Sequence, residues 1–302
     1  MVLTMTNNPH LNELACLLEQ SGEYRVLRRL TPRGSHHEAA DAVAGHGVFL
    51  ALETTGRDPE MHELIEIALT PFTYSAGGRI LNVGEPYSSF QMPFRPISPE
   101  VTKLTGITAE MVAGCMIDVG EVERMLAGVD WVCSQDAQFD RPFAEQVTLA
   151  FAAKRWACSL TQIPWREAGY GGAKLGHLLA ELGYFTSVNR AHEDCAAAIE
   201  LLAQCLPNSE TTAFARLVVA AEAPTYQVWA VRCPLQRIRS LRARGYRWNE
   251  VEKPGRPKAW YRELSEDFVA LELQYLRREI YELDIDVPVT EITALDRFSN
   301  RI

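Results

Sequence analysis

Three acidic residues, each at the edge of an apolar run, are the positions of this sequence best placed to do chemistry. Glu53 follows the strand-like run Val48-Phe49-Leu50-Ala51-Leu52 and precedes Thr54-Thr55-Gly56. Asp140 stands in Ala137-Gln138-Phe139-Asp140, just after the apolar run Trp131-Val132-Cys133-Ser134. Asp194 opens a stretch rich in alanine and leucine. Carboxylate oxygens are the ligands preferred by hard divalent cations, and a protein site for such an ion gathers them from separate parts of the chain. Taken singly, each acid reads as a solvated or helix-capping carboxylate. Residues i and i+2 of a strand share a face, so position 51 adjoins Glu53, and the alanine there offers no lone pair.

Order, spacing and flanking residues lift the three acids out of that bland reading. Residues 47–68, with Ala51-Leu52-Glu53-Thr54-Thr55-Gly56, resemble the first motif of the DnaQ-like 3'–5' exonucleases, the DEDD group named for four acidic metal ligands. That motif reads Asp-x-Glu-Thr-Thr-Gly, so Ala51 stands where the family carries its first acid. Pro96-Ile97-Ser98-Pro99-Glu100-Val101-Thr102-Lys103-Leu104-Thr105-Gly106-Ile107-Thr108 is similar to the segment that closes over the terminal nucleotide. Residues 129–143 are similar to the second motif, His-Asn-Ala-x-Phe-Asp, with Asp140 matched and Gln135 and Asp136 in place of His-Asn. Asn189-Arg190-Ala191-His192-Glu193-Asp194 resembles the third motif of the histidine branch, His-x-Ala-x-x-Asp. Asp194 is matched there, and Asn189 takes the position of the general base.

The resemblance implies a site in which Glu53, Asp140 and Asp194 hold Mg2+ or Mn2+. Thr54, Thr55, Gly56, Leu104 and Phe139 would then contact a single-stranded nucleic-acid 3' end or a nucleotide. In the family, one ion generates hydroxide and a second, roughly 3.5–4 Å away, neutralises the leaving oxygen. The missing acid at Ala51 removes the bridge between the two ions, and an amide at Asn189 cannot take the proton from water. His192, three residues on, would point about 60° away from position 189 on a helix and reads first as a solvent-facing residue of a helix start. The expectation is an impaired 3'–5' exonuclease with weak or single-site metal binding. The alternative is a catalytically silent protein that binds nucleic acid or nucleotide, or serves a protein partner as a scaffold.

The elements needed to position these residues follow from the pattern of the chain. Strands are expected at 48–52, 63–70 and 80–87, mutually antiparallel, then at 130–134 and 157–159. Helices are expected over 8–22, near 99–104, over 119–126, 139–151 and 173–182, and from 193 to 205. Alternating strands and helices in this order match an α/β, ribonuclease-H-like mixed sheet flanked by helices, with a small α+β C-terminal module. The expected division is an N-terminal helical or linker segment, 1–44, an exonuclease-like domain, 45–206, and a basic, aromatic module, 207–302. Within 207–302 an apolar helix runs through Ala223. It is followed by a strand from Tyr226 to Val231, a helix from Pro234 to Arg244, a hairpin carrying Tyr246, Trp248, Trp260 and Tyr261, and a helix over 266–283. Residues 292–298 show no readable chemistry.

Charge is unevenly divided. The whole chain of 302 residues carries −9, yet residues 225–262 hold ten basic residues against two acids, leaving +8 there and −17 elsewhere. A basic module on an acidic body suits a phosphate backbone. Arginines interleaved with aromatics suit base stacking, although a module this small needs some of those aromatics for its own core. The seven cysteines lack C-x-x-C spacing and read as thiols of a reducing compartment. No run approaches the roughly 18 apolar residues of a membrane span, so a soluble, cytoplasmic protein without a membrane partner is expected. His36-His37 reads as an exposed pair in a polar loop.

Overall fold

The computed structural model describes residues 9–34, 41–186 and 190–301; the His36-His37 pair and Asn189 lie outside them. Helix α1 (Pro9–Gln20) leads to β1 (Arg28–Arg29), β2 (Val43–Thr54), β3 (Leu64–Ser75), β4 (Ile80–Val83) and β5 (Tyr87–Phe90). Then come α2 (Pro99–Thr105), α3 (Ala109–Val112), α4 (Val119–Leu126), β6 (Trp131–Ser134), α5 (Ala137–Val147), β7 (Arg155–Cys158) and α6 (Ser159–Gln162). The first unit continues with α7 (Leu175–Glu181), β8 (Tyr184–Phe185), α8 (Ala191–Ala203) and α9 (Ala213–Glu222). The remainder comprises β9 (Thr225–Ala230), α10 (Ile238–Ala243), β10 (Arg247–Trp248), β11 (Trp260–Leu264), α11 (Glu266–Tyr275) and β12 (Val289–Ile292).

The main sheet is mixed, in the order β4-β3-β2-β6-β7, with β5 also on β3. Strands β2 and β3 are antiparallel, whereas β2, β6 and β7 run parallel. Two-residue periodicity sorts β2 between two cores: Val48, Leu50 and Leu52 pack with Val122, Phe143 and Trp156, while Phe49 packs with Leu178, Cys195, Leu202 and Phe214. Helices therefore cover both faces, as the sequence pattern predicts.

Several boundaries differ from expectation for local reasons. The strand expected over 80–87 is two strands: the pairing of β4 with β3 ends where Gly84 donates its N–H to the Pro71 carbonyl, and the chain then passes Pro86 into β5. The helix expected over 139–151 starts earlier and stops at Val147. Thr148 is extended there, and its hydroxyl caps a separate 3-10 turn over Leu149–Ala153. Within the N-terminal helical or linker segment, Arg28–Arg29 forms a parallel pair with Tyr184–Phe185.

The second sheet, β10-β11-β9-β12, is antiparallel. One of its faces buries Val228, Ala230, Trp260 and Leu264 against Leu241, Leu276 and Ile280. The aromatics of the hairpin are mostly structural. Tyr246 and Trp260 are buried in this core, Tyr261 packs on Trp229 with centroids 4.9 Å apart, and Trp248 alone of the four is exposed. Helix α9 packs with the first unit, where Phe214, Leu217 and Ala221 join the core of the main sheet. The stretch over 292–298 does carry a role: Trp156 N–H donates to Ala294 O, and the buried Arg141 guanidinium of α5 donates to the carbonyls of Leu295 and Arg297. Arg297 donates in turn to the carbonyls of Ala221 and Ala223.

Candidate active site

Parallel pairing of β2 with β6 brings the carboxyl ends of both strands to one edge of the sheet, with Leu50 opposite Ser134. Glu53 lies three residues beyond Leu50. After Ser134 the chain passes through Gln135 and Asp136 into α5, whose first turn carries Asp140. Helix α8 crosses β2 and β3, with Cys195 Sγ donating to Phe49 O at 3.4 Å, so the neighbouring Asp194 reaches the same edge. Glu53 also sits opposite Glu66 in the β2–β3 register.

The electrostatics link these groups. Burial, then the charges of Asp194, Glu66 and Asp140, push the Glu53 carboxyl up to about 8, against a smaller opposing pull from Arg190. Burial also pushes Asp140 up to about 8; the Ser134 hydroxyl opposes that shift, while the charges of Asp136 and Asp194 add to it. Asp194 is raised to about 6 by burial and by Glu193 and Glu66. None of the three makes an ion pair among the described residues. Carboxylates desolvated together in this way favour whatever neutralises them, a proton or a cation.

Glu66 and Arg190 are residues that sequence reasoning passed over. Glu66 is fully buried and accepts from Arg190 Nε at 3.0 Å, Arg190 Nη2 at 2.8 Å and Ala191 N at 3.2 Å. Arg190 also lies over the Phe90 ring at 4.7 Å. A signal was present, since Glu66 is the one charge in Leu64-Ile65-Glu66-Ile67-Ala68-Leu69. An ionised side chain in a buried strand needs a partner.

The remaining expected site residues fall into distinct roles. Thr54 Oγ1 donates to Gly56 O at 2.6 Å, and Thr55 Oγ1 accepts from Glu63 N at 2.9 Å, so both hydroxyls shape the exit from β2. A Cβ at Gly56 would come within 2.2 Å of the His62 ring, which explains glycine there. Ala51 is half-buried against the α8 side of the sheet. Leu104 is exposed on α2. Phe139 is half-buried beside Phe143, with the Arg57 guanidinium 5.2 Å from its ring centroid. Gln135 spends its amide inside the protein, donating to Ala173 O and accepting from Ser159 Oγ. Asp136 lies 3.7 Å from Arg57, and His192 is half-buried in the first turn of α8. The Glu63 carboxylate, also unnoticed in the sequence, accepts from Phe94 N and Arg95 N and ties the segment before α2 to this edge.

The oxygen-only character of Glu53, Asp140 and Asp194 suits Mg2+ or Mn2+ in kind. The arrangement does not suit a bridged pair of ions: among the described residues no three His, Cys, Asp or Glu side chains are grouped to hold a metal. Ala51, on the same strand face as Glu53, supplies no ligand.

Comparison with known proteins agrees with this architecture. The sequence model of the RNase_T exonuclease family matches residues 48–202, more than half of the chain. No curated protein matches the sequence significantly. Among solved structures, Exonuclease I superposes with a TM-score of 0.50 at 16% identity, covering 83% of this chain and 63% of that one. Exonuclease X in complex with 5' overhanging duplex DNA aligns at 22% identity and TM-score 0.40, over 56% of this chain and 99% of that one. E. coli Exonuclease I in complex with a 5cy-dA13 oligonucleotide aligns at 13% identity and TM-score 0.46, over 73% and 63%. With a mixed sheet flanked by helices and a family match across all three motifs, the chain belongs to the DnaQ-like exonuclease family and adopts its ribonuclease-H-like fold.

Proposed function

We propose that the protein receives the 3' end of a single-stranded nucleic acid at the sheet edge where Glu53, Asp140 and Asp194 converge, and that its 3'–5' hydrolysis is impaired. What supports the reading is the charge coupling of Glu53 and Asp140 with Asp194. The Asp194 charge raises both Glu53 and Asp140, and the Asp140 charge raises Glu53, although 141 residues separate Glu53 from Asp194. Thr54, Thr55, Gly56, Leu104 and Phe139 are the proposed substrate contacts. Oxygen donors suit Mg2+ or Mn2+, and without an acid at 51 they leave at most one weak ion position. Impairment follows from Ala51 and Asn189, which stand where family members carry a metal ligand and a general base. Seven free thiols favour a reducing compartment, and we assign the protein to the cytoplasm on that ground.

The test is degradation of a 3'-labelled oligonucleotide in Mn2+ by the natural chain and by the Ala51→Asp/Asn189→His variant. The restored variant should be faster by about 100-fold or more, the scale of one general base. Equal rates would refute the roles given to positions 51 and 189. Tight binding by the natural chain without turnover would establish the silent form of the same function, and absence of both binding and turnover would leave the scaffold reading.

A further inference from the structure

The described residues line a cleft of about 430 Å3 between the two units of the fold. Its floor is the polar face of the second sheet, with Gln227, Arg247, Tyr261 and Glu263, and its rim includes Arg256 and Gln138. Gln138 is an exposed residue of α5, two positions before Asp140. Positions two apart on a helix diverge by about 200°, so the cleft lies across α5 from Asp140 and shares none of the acids of the candidate active site.

Most of the polar groups here are already satisfied, and the exceptions identify the ligand. The Glu263 carboxylate accepts from the Thr225 hydroxyl and the Gln227 amide, and Asp296 accepts from Thr293. Arg297 spends its guanidinium on backbone carbonyls. Arg247 makes no ion pair among the described residues and lies over the Tyr261 ring at 5.2 Å. Arg256 likewise has none, and its Nε is buried without a hydrogen-bond partner. Gln227 is 6% exposed; its Nε2 faces Glu263 at 3.4 Å, which orients the amide, and its Oε1 is buried without a donor. Buried polar atoms are normally paired. A cleft lined by an unpaired donor on a cation, a second free cation and an unpaired acceptor suits a ligand that is anionic at one end and carries an N–H or O–H at the other.

We propose that this cleft binds a nucleotide phosphate ester, with the phosphate on Arg247 and Arg256 and a sugar hydroxyl or base N–H on Gln227 Oε1. The same chemistry has two sources: an internal phosphodiester of a strand whose end lies at the candidate active site, or a free mononucleotide. The strand source rests on the nucleic-acid reading above; the mononucleotide source does not.

The experiment reads binding, with turnover suppressed by EDTA, so its failure is distinct from failure of hydrolysis. Fluorescence anisotropy of a labelled dT oligonucleotide and calorimetric titration with dTMP are compared for the full natural chain, Arg247→Gln/Arg256→Gln, and Arg239→Gln, an exposed arginine of the same module outside the cleft. The double variant should weaken one ligand or both by about tenfold, with Arg239→Gln within about twofold. If the strand is the source, the slope of log affinity against log salt should also fall by about 0.7, the loss of one neutralised single-strand phosphate. Loss of dTMP binding alone assigns the free nucleotide. Unchanged binding of both probes in a double variant with natural circular dichroism overturns the proposal. If the double variant does not fold, Gln138→Glu introduces a negative charge at the exposed rim. It should weaken the same probe at least threefold, and unchanged affinity there overturns the proposal equally.

Discussion

Carboxylates are buried in both units of the molecule, and the two units treat them in opposite ways. In the second unit Glu272, 2% exposed, is saturated: Arg244 Nε and Arg262 Nη1 each donate to it at 2.8 Å, and the Tyr246 hydroxyl donates at 3.0 Å. At the edge of the main sheet, Glu66 is neutralised by Arg190 in the same manner, yet Glu53, Asp140 and Asp194 have no ion pair among the described residues and are driven toward protonation. A carboxylate that serves only architecture arrives with its counter-charge built in. One kept desolvated without a counter-charge is costly to the fold and marks a place where something else is to bind.

The sharpest way to break this comparison is to make the saturated centre resemble the unsaturated one. Arg244→Ala/Arg262→Ala would leave Glu272 with Tyr246 alone and should destabilise the protein by about 3–5 kcal/mol in urea unfolding; a loss below about 1 kcal/mol would mean the centre is not structural. The converse substitution, Glu53→Gln, removes a charge that burial disfavours. Because the folded-state pKa of Glu53 is raised from 4.5 to about 8, the native state holds this proton while the unfolded state has lost it. Wild-type stability is therefore free of the penalty below about pH 4.5 and falls as pH rises through 8. In chelating buffer Glu53→Gln should match wild type near pH 5 and exceed it at pH 8.5 by roughly 1–2 kcal/mol. A pH-independent difference would contradict the burial of that carboxyl.

Ala51→Asp sharpens the comparison further by adding another unpaired acid. Saturating Mn2+ should then raise the unfolding temperature by about 3 °C or more over the metal-free variant, a gain larger than in the natural chain. An equal Mn2+ response in the two proteins would show that position 51 does not adjoin an ion. The smallest effect is expected at Arg57→Ala, whose contact with Asp136 at 3.7 Å is largely exposed. Its cost should stay within about 0.5 kcal/mol, and a larger loss would make Arg57 part of the buried network.

Legibility in the sequence followed the range of the interaction. The alternation in Val48–Leu52, the apolar run before α5 and the alanine-rich helix bearing Asp194 are local patterns, and each lies where it was expected. The split between β4 and β5 had a local sign too, in Gly84 and Pro86, but a continuous apolar reading outweighed it. Strand β12 is only four residues long and pairs with β9 some 60 residues earlier, so no window of sequence contains both. Glu66 and Arg190 are 124 residues apart; the charge in the strand was visible, its partner was not. The hairpin aromatics read equally well as stacking platforms or as core, and only packing could assign Tyr246 and Trp260 to the interior. The joint site proposed for Glu53, Asp140 and Asp194 rests on resemblance, because no spacing in one chain states that three distant acids meet.

The grip of Arg141 on the carbonyls of Leu295 and Arg297 has a consequence for biosynthesis. The guanidinium that must be covered for α5 to settle belongs to a residue that leaves the ribosome more than 150 positions before its acceptors do. The native cover of the Arg141 guanidinium therefore exists only once residues 295–297, after the last strand of the second unit, have been made. Completion of the first unit is thereby coupled to the second, and a chain that stops between them lacks the acceptors that Arg141 of α5 uses.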